Sequence, residues 1–511
     1  MSAPRLDPVS LQVLVGALRA ACDEMGAILV RSAHSPNIRE RRDCSTALFD
    51  PGGELVMQAE HIPVHLGSMP DAVAAVLGEE QQPGGLWILN DPYRGGTHLP
   101  DITLISPLHD DGMLIGFAAS RAHHADVGGP TPGGMPAYST TLDEEGVVIP
   151  PTRATDEVLA ELAGRMRAPA QRLADLRAQR AANRAGAARV AELVDRIGRQ
   201  GFASGMAEIL DYAERRTRAA IVELPDGEYE ATDLLEGGPD GSRDIELRCL
   251  VRIAGDRLEL DFSGSAEQVE GNLNCPLSVT KSAVFFAVRV LTDPDAPPSA
   301  GAHRPVEVLA PPGSLLNARF PAAVAAGNVE TSSRVADLVL AALGSATEAP
   351  AQGQGTMNNL TLADAEDGQR WTYYETIGGG QGACPDAAGP SAIHVAMSNT
   401  LNTPVEALET DYPLRVRELA LRRGSGGRGR LPGGDGIVRE IEALAPMRYT
   451  LITERRRHPP RGRGGGADGA TGRNLLDGAE LASKASGELA PGDRLRIETP
   501  GGGGTGPERA E

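Results

Sequence analysis

The sequence predicts a multidomain α+β, mixed α/β protein with a helical subdomain inserted around residues 155–221 and a glycine-rich strand-and-turn region at its C-terminal end. Three observations carry that expectation. Short apolar runs flanked by turn residues recur up to residue 154. From 155 to 221 the composition shifts to Ala, Arg, Leu and Glu at helical spacing, and glycine, 62 residues over the whole chain, becomes dense after residue 424. At 511 residues the chain is too long for one ordinary core. We divide it into an N-terminal α/β region (1–154), the helical subdomain (155–221), a central α+β region (222–423) and a glycine-rich β region (424–511).

In chain order, residues 7–34 place Leu11, Leu14, Val15, Leu18, Cys22, Met25, Ile28 and Leu29 at helical spacing behind Asp7-Pro8, a cap and first turn. Strand-like pieces follow at Ser45–Phe49, Leu55–Gln58, Leu86–Leu89, Ile102–Leu108 and Leu114–Ala119. Turns such as Asp50-Pro51-Gly52-Gly53 separate them, and Met69–Leu77 reads as a helix. Helical runs at Glu157–Arg167, Ala170–Ile197 and Phe202–Ile221 hold no strict heptad and read as packed helices. Alternation over Ile245–Ile253 and Arg257–Phe262 predicts antiparallel strands. Ser278–Leu291 reads as a helix, and Val335–Leu343 as a buried helix capped by Thr331 or Ser332. The tail, 424–506, reads as short strands joined by turns. Gly378–Gly382 and Gly424–Gly436 read as tight turns, since no Gly-x-x-x-x-Gly-Lys-Ser/Thr occurs and neither run has the strand-to-helix setting of a nucleotide loop.

A net charge of -20 argues against nucleic acid and anionic membranes as partners. No secretory leader is read in Met1–Val9, and no apolar stretch approaches the roughly 18 residues of a membrane span. The five cysteines (Cys22, Cys44, Cys249, Cys275, Cys384) show neither disulfide nor thiolate-zinc spacing, which fits a reducing, cytoplasmic location. Lysine stands only at Lys281 and Lys484, removing the usual lysine nucleophiles. Ser263 narrowly misses a nucleophile elbow, and nothing marks Cys44 or Cys384 as activated.

The chemistry concentrates in Asn90–Asp101. His98 and Asp101 stand three apart beyond Gly95-Gly96, and His123-His124 follow an apolar strand, so two strands ending side by side would bring these groups onto one divalent ion. The plainer alternative is a histidine bonded to a loop aspartate. In an extended segment His123 and His124 face opposite ways, so one is a ligand at most and the other a proton carrier. Ile38–Asp43 offers two carboxylates among three arginines. It reads either as a solvated charge run, as Glu40 or Asp43 completing the site, or as an arginine gripping a carboxylate or phosphate. His61 and His65 have ligand spacing only in a helix, which Pro63 disfavours, so polar lining of the same cleft is the better reading.

The segments SPNIRERRDCSTALFD, NDPYRGGTHLPDITLISP, ASRAHHADVGG, GNVETSSRVADLVLAALG, YYETIGGGQGA and SNTLNTPVEALE together resemble the hydantoinase B/oxoprolinase family. Its members are B-type subunits of ATP-dependent N-methylhydantoinases, 5-oxoprolinases and caprolactamase, with related subunits in acetone and acetophenone carboxylases. The resemblance implies a hetero-oligomer with a separate A-type subunit that binds ATP and phosphorylates a small cyclic amide, while a metal-activated water opens the ring here. It implies a divalent ion, Mn, Fe or Zn, held by His98, Asp101, His123 and Glu40; from their placement beside these ligands, His124 or Asp43 is expected to move protons. The alternatives are carboxylation of a phosphorylated enol, or a non-catalytic metal-binding scaffold for the ATPase. One departure from the family pattern is Thr505, where an aromatic is expected.

Overall fold

The computed structural model describes residues 7–60, 62–366 and 370–508. The first helix, α1 (Pro8–Ser32), starts where Asp7 accepts the Val9 and Ser10 amides at 3.0 and 3.1 Å, with Pro8 at the first position that needs no donor. The single turn α2 (Pro36–Arg39) leads into β1 (Cys44–Phe49) and β2 (Leu55–Glu60), followed by α3 (Met69–Ala74), β3 (Trp87–Leu89), β4 (Asp101–Asp110), β5 (Met113–His123) and β6 (Thr152–Arg153). These strands form one sheet in the order β2-β1-β5-β4-β3-β6. Strands β4 and β5 run longer than their apolar cores suggest, because pairing continues through Ala122 and Ile102 to His123 and Asp101.

The helices α4 (Asp156–Gly164) and α5 (Pro169–Val222) follow. The two runs expected before and after residue 198 are the two helical arms of α5, parted at Gly198, whose φ of 74° and ψ of 155° are not helical. Helix α5 shares a core with α1 and one face of the first sheet, with Ala178, Ala182, Phe202 and Ile209 packed among Leu18, Met25, Val56 and Ala118. The opposite face carries α3, through Met69, Ala72 and Val73 against Ala47, Phe117 and Ala119.

A second sheet, built from β7 (Gly227–Gly237), β8 (Arg243–Ala254), β9 (Arg257–Asp261) and β10 (Val306–Leu309), runs in the order β10-β9-β8-β7. Helices α6 (Leu277–Leu291) and α8 (Ser332–Leu343) cover it, with the single turn α7 (Ala300–His303) between them. Neither Thr331 nor Ser332 caps α8. A π-helical turn, Gly327–Thr331, runs straight into the helix, and the two hydroxyls donate instead to the Leu273 and Asn328 carbonyls, each at 2.6 Å.

The remaining elements are β11 (Asn359–Asp364), β12 (Thr372–Glu375), α9 (Val405–Asp411), β13 (Leu414–Arg422), β14 (Gly436–Ala443), β15 (Met447–Ile452), β16 (Arg473–Leu476), β17 (Ala479–Leu481), β18 (Lys484–Leu489) and β19 (Arg494–Glu498). They form sheets β12-β11-β15-β18 and β13-β14-β19-β16-β17 around one core that includes Leu362, Ile441, Leu451 and Ile497. The glycine runs are not turns. Residues 378–389, 424–436 and 500–506 lie against one another as extended chains, with Gly427 N donating to Gly502 O, Gly434 N to Gln381 O and Gly502 N to Gly434 O at 2.8–2.9 Å. A Cβ on Gly380 would sit 2.0 Å from the Gly434 carbonyl oxygen, so close approach and not turn geometry demands glycine here. Thr505 joins this layer, donating its hydroxyl to the Ala383 carbonyl at 2.9 Å. Among the described residues no helix is long and apolar enough to cross a membrane.

Candidate metal centre

The centre forms where β1, β4 and β5 come together at one end of the first sheet. Asp101 opens β4, His123 closes β5, and the two are direct partners in the antiparallel register. On the other side of β5, Cys44 pairs with Ala122, and one step further the His123 amide donates to the Asp43 carbonyl at 3.0 Å. Asp43, His123 and Asp101 therefore stand in one row, with directly opposed residues about 5 Å apart. His98 reaches the same point from the loop before β4. That loop passes so close to α3 that a Cβ on Gly95, at φ 99°, would lie 2.6 Å from the Asp71 carbonyl oxygen.

One carboxylate is the hub. His98 Nε2 and His123 Nδ1 lie 3.2 and 3.3 Å from Asp101 Oδ1. The other oxygen, Oδ2, accepts the Thr97 hydroxyl at 2.7 Å and faces His65 Nε2 at 3.3 Å, while His65 Nδ1 pairs with the Ser45 hydroxyl at 2.9 Å. Tyr374 lies flat on His123, with ring centroids 4.5 Å apart and planes 14° apart. All of these groups are buried.

The donor set fits a divalent cation. One atom each of His98, Asp101 and His123 lies within 4.8 Å of the others. His98 Nδ1 and His123 Nε2 have no hydrogen-bond partner, and His98 Nε2, though 3.2 Å from Asp101 Oδ1, is not in hydrogen-bonding geometry with it, although an unsatisfied buried polar group costs about 1–3 kcal/mol. Protonation agrees. Burial alone would raise Asp101, but the His98, His123 and His65 imidazoles outweigh it and hold the carboxyl well below its ordinary range. Burial pushes the His123 imidazole down to about 4. An ionised carboxylate beside neutral imidazole is the state that binds a metal.

Asp43 lines the adjoining cavity of about 20 Å³, room for roughly one water, with His65, Asn328, Met357, Tyr374, Thr376, Ser398 and Thr400. Burial, then the nearby Asp101 charge, raise its carboxyl to about 6. Glu40 is not brought to this cluster. The turn α2 carries it outward, where it is partly exposed and holds Arg39 at 2.8 Å, and Arg42, at φ 56°, then swings the chain so that Asp43 enters the row. His124 points away from His123 and pairs through Nε2 with Gln179 at 3.0 Å, and burial lowers it to about 4. His61 lies outside the described residues. Burial raises the thiols of Cys44 and Cys384, so neither is activated.

Sequence reasoning placed His65 only as cleft lining and assigned no role to Tyr374, Thr376 or Thr400. Those three come from segments far along the chain that the family resemblance singled out without giving them a task.

A family model described as Hydantoinase B/oxoprolinase matches residues 7–508. The chain is 38% identical to 5-oxoprolinase of Dictyostelium discoideum, over 98% of this chain and 40% of that protein. It is 39% identical to 5-oxoprolinase 1 of Arabidopsis thaliana, over 98% of this chain and 42% of that protein. The crystal structure of ATP-dependent caprolactamase from Pseudomonas jessenii matches with a TM-score of 0.91 at 29% identity, covering 98% of this chain and 92% of that one. The chain thus spans about two fifths of the length of the curated 5-oxoprolinases it matches.

Proposed function

Because this chain belongs to the hydantoinase B/oxoprolinase family, we propose that it is the B-type subunit of an ATP-dependent hydrolase of cyclic amides, a hydantoin or 5-oxoproline. Its partner is a separate A-type ATPase chain in the same hetero-oligomer. The observation that carries the reading is the buried His98–Asp101–His123 cluster with its unpartnered ring nitrogens. Phosphorylation of the amide oxygen by the partner makes the ring carbon electrophilic; water adds to that carbon, the C–N bond opens as the nitrogen takes a proton, and a second water hydrolyses the resulting acyl phosphate to carboxylate and phosphate. A bound divalent ion supplies Lewis acidity and lowers the pKa of a coordinated water.

The chain's own groups do the rest. Thr97 and His65 hold Asp101 Oδ2, which fixes the direction in which Oδ1 points. Tyr374 fixes the plane of the His123 ring. Asp43, in the same row and against the cavity, carries protons to and from the reacting water at its carboxylate. A cavity of about 20 Å³ admits a water and not a lactam ring, so substrate enters only when a wall gives. The stretch that carries Ser398 and Thr400 is one of the irregular segments that wall the cavity.

The test is co-purification of the chain with its A-type partner, followed by ATP-dependent ring opening. Turnover without bicarbonate, lost in His98→Ala and Asp101→Ala while the complex stays assembled, is the expected result. A bicarbonate requirement would replace hydrolysis by carboxylation, and undiminished turnover in both variants would leave the chain a scaffold.

A further inference from the structure

The five fully buried arginines of this chain are compensated in different ways. Arg172, Arg334 and Arg455 stand 3.6, 3.5 and 2.8 Å from Asp175, Asp233 and Asp337. Arg121 forms no ion pair among the described residues, but each nitrogen donates: Nε to Thr103, Nη1 to Ser68 and Nη2 to the Gly95 carbonyl, at 2.8, 2.6 and 3.0 Å. The fifth, Arg41, is compensated at one nitrogen alone. Its Nη2 donates to the Thr376 and Thr400 hydroxyls at 2.6 and 2.9 Å and to the Thr376 carbonyl at 3.3 Å. Its Nε and Nη1 are buried without a partner, and it forms no ion pair among the described residues.

A buried guanidinium with two idle nitrogens and no carboxylate in ion-pair contact is a costly arrangement. Asp43, whose carboxyl burial raises and the Arg41 charge pulls partly back down, lines the nearby cavity but is not paired with it. The surroundings of Arg41 point to that cavity. Thr376 and Thr400, which anchor Arg41, also line the cavity beside Asp43, Asp101 and His123. The Arg41 guanidinium carbon is 5.9 Å from the ring centroid of Tyr374, whose ring stacks on His123. The anchor is itself braced, since the Thr376 and Thr400 hydroxyls are 2.7 Å apart and His394 Nε2 is 3.1 Å from Thr400.

We infer that Arg41 is the counter-ion of an oxyanion that the substrate carries into this site. The inference rests on the proposed function. The oxyanion has two possible sources, a carboxylate on the ring or the phosphoryl group acquired on activation, and a planar fork of N–H donors suits both.

Calorimetric titration of the complex with its ATPase partner, using 5-oxoproline, the neutral 2-pyrrolidinone and inorganic phosphate, tests it. In Arg41→Gln the affinity for at least one oxyanion falls roughly tenfold to a hundredfold, while that for 2-pyrrolidinone stays within about twofold. Loss for 5-oxoproline assigns the ring carboxylate, and loss for phosphate the phosphoryl group. Equal affinities for all three in both proteins overturn the inference. If Arg41→Gln does not fold, Thr400→Val, which keeps the charge and removes one anchor, is read the same way. ATP-dependent ring opening is measured separately. Opening that is unaffected in Arg41→Gln sinks the inference and leaves the hydrolase reading standing, whereas Arg41-dependent oxyanion binding without ring opening does the reverse.

Discussion

At the scale of residues, Asp101 organises the centre by facing two imidazoles with one oxygen and its two supports with the other. Removing a ligand and removing a support should therefore differ in degree. His98→Ala should lower the divalent metal per chain from near one to near zero, as measured by mass spectrometry of the purified protein. His65→Ala, which leaves all three donors but removes one of the two supports of Oδ2, should weaken metal affinity roughly 10- to 100-fold by competition with a chelator. Full metal content in His98→Ala would remove the metal from the argument. His98, Asp101 and His123 were legible because their spacing and a following strand are local features. The nearby carboxylate was not, because choosing between Glu40 and Asp43 depends on the left-handed backbone of Arg42, a conformation that residue type does not announce. Tyr374 and Thr400 were illegible for a different reason, since only tertiary packing brings them to a sheet end some 250 positions earlier in the chain.

At the scale of elements, periodicity located the longer helices and β1 to β5 of the first sheet, since each buries one regular face, and passed over the short α2, α7, α9 and β6. It also separated the two arms of α5, which part at Gly198, where nothing lies within 4 Å of an added Cβ, so the residue is needed only for its backbone. Gly198→Ala should cost about 1–3 kcal/mol in chemical denaturation, all of it conformational strain. A neutral result would mean that the helix straightens without penalty. The same helix supplies Gln179, whose amide donates to the Ile102 and Ser120 carbonyls at 2.9 and 3.2 Å and meets His124, so α5 ties together the two strands that present Asp101 and His123. A long helix of alanine and arginine thus serves as the brace of the centre.

At the scale of the whole molecule, the sheets meet through buried charge. Glu330, on the π-helical turn, accepts the Asn359 amide at 2.8 Å, and burial, reinforced by the Glu454 charge, raises its carboxyl to about 8. Between its ordinary value and 8 the folded protein keeps a proton that the unfolded chain has released, so stability falls as pH rises through that window. Wild type should lose more melting temperature between pH 6 and pH 9 than Glu330→Gln does, and parallel curves would refute the assignment. The layer of extended glycine chains has a consequence for how the molecule assembles. Its three segments come from around residues 380, 430 and 502 and offer almost no side-chain surface to guide one another into place. Their hydrogen bonds form only after the flanking sheets have set the alignment, so the layer closes late. Contacts this distant along the chain make that closure slow, and during synthesis it waits until the ribosome has delivered residue 506.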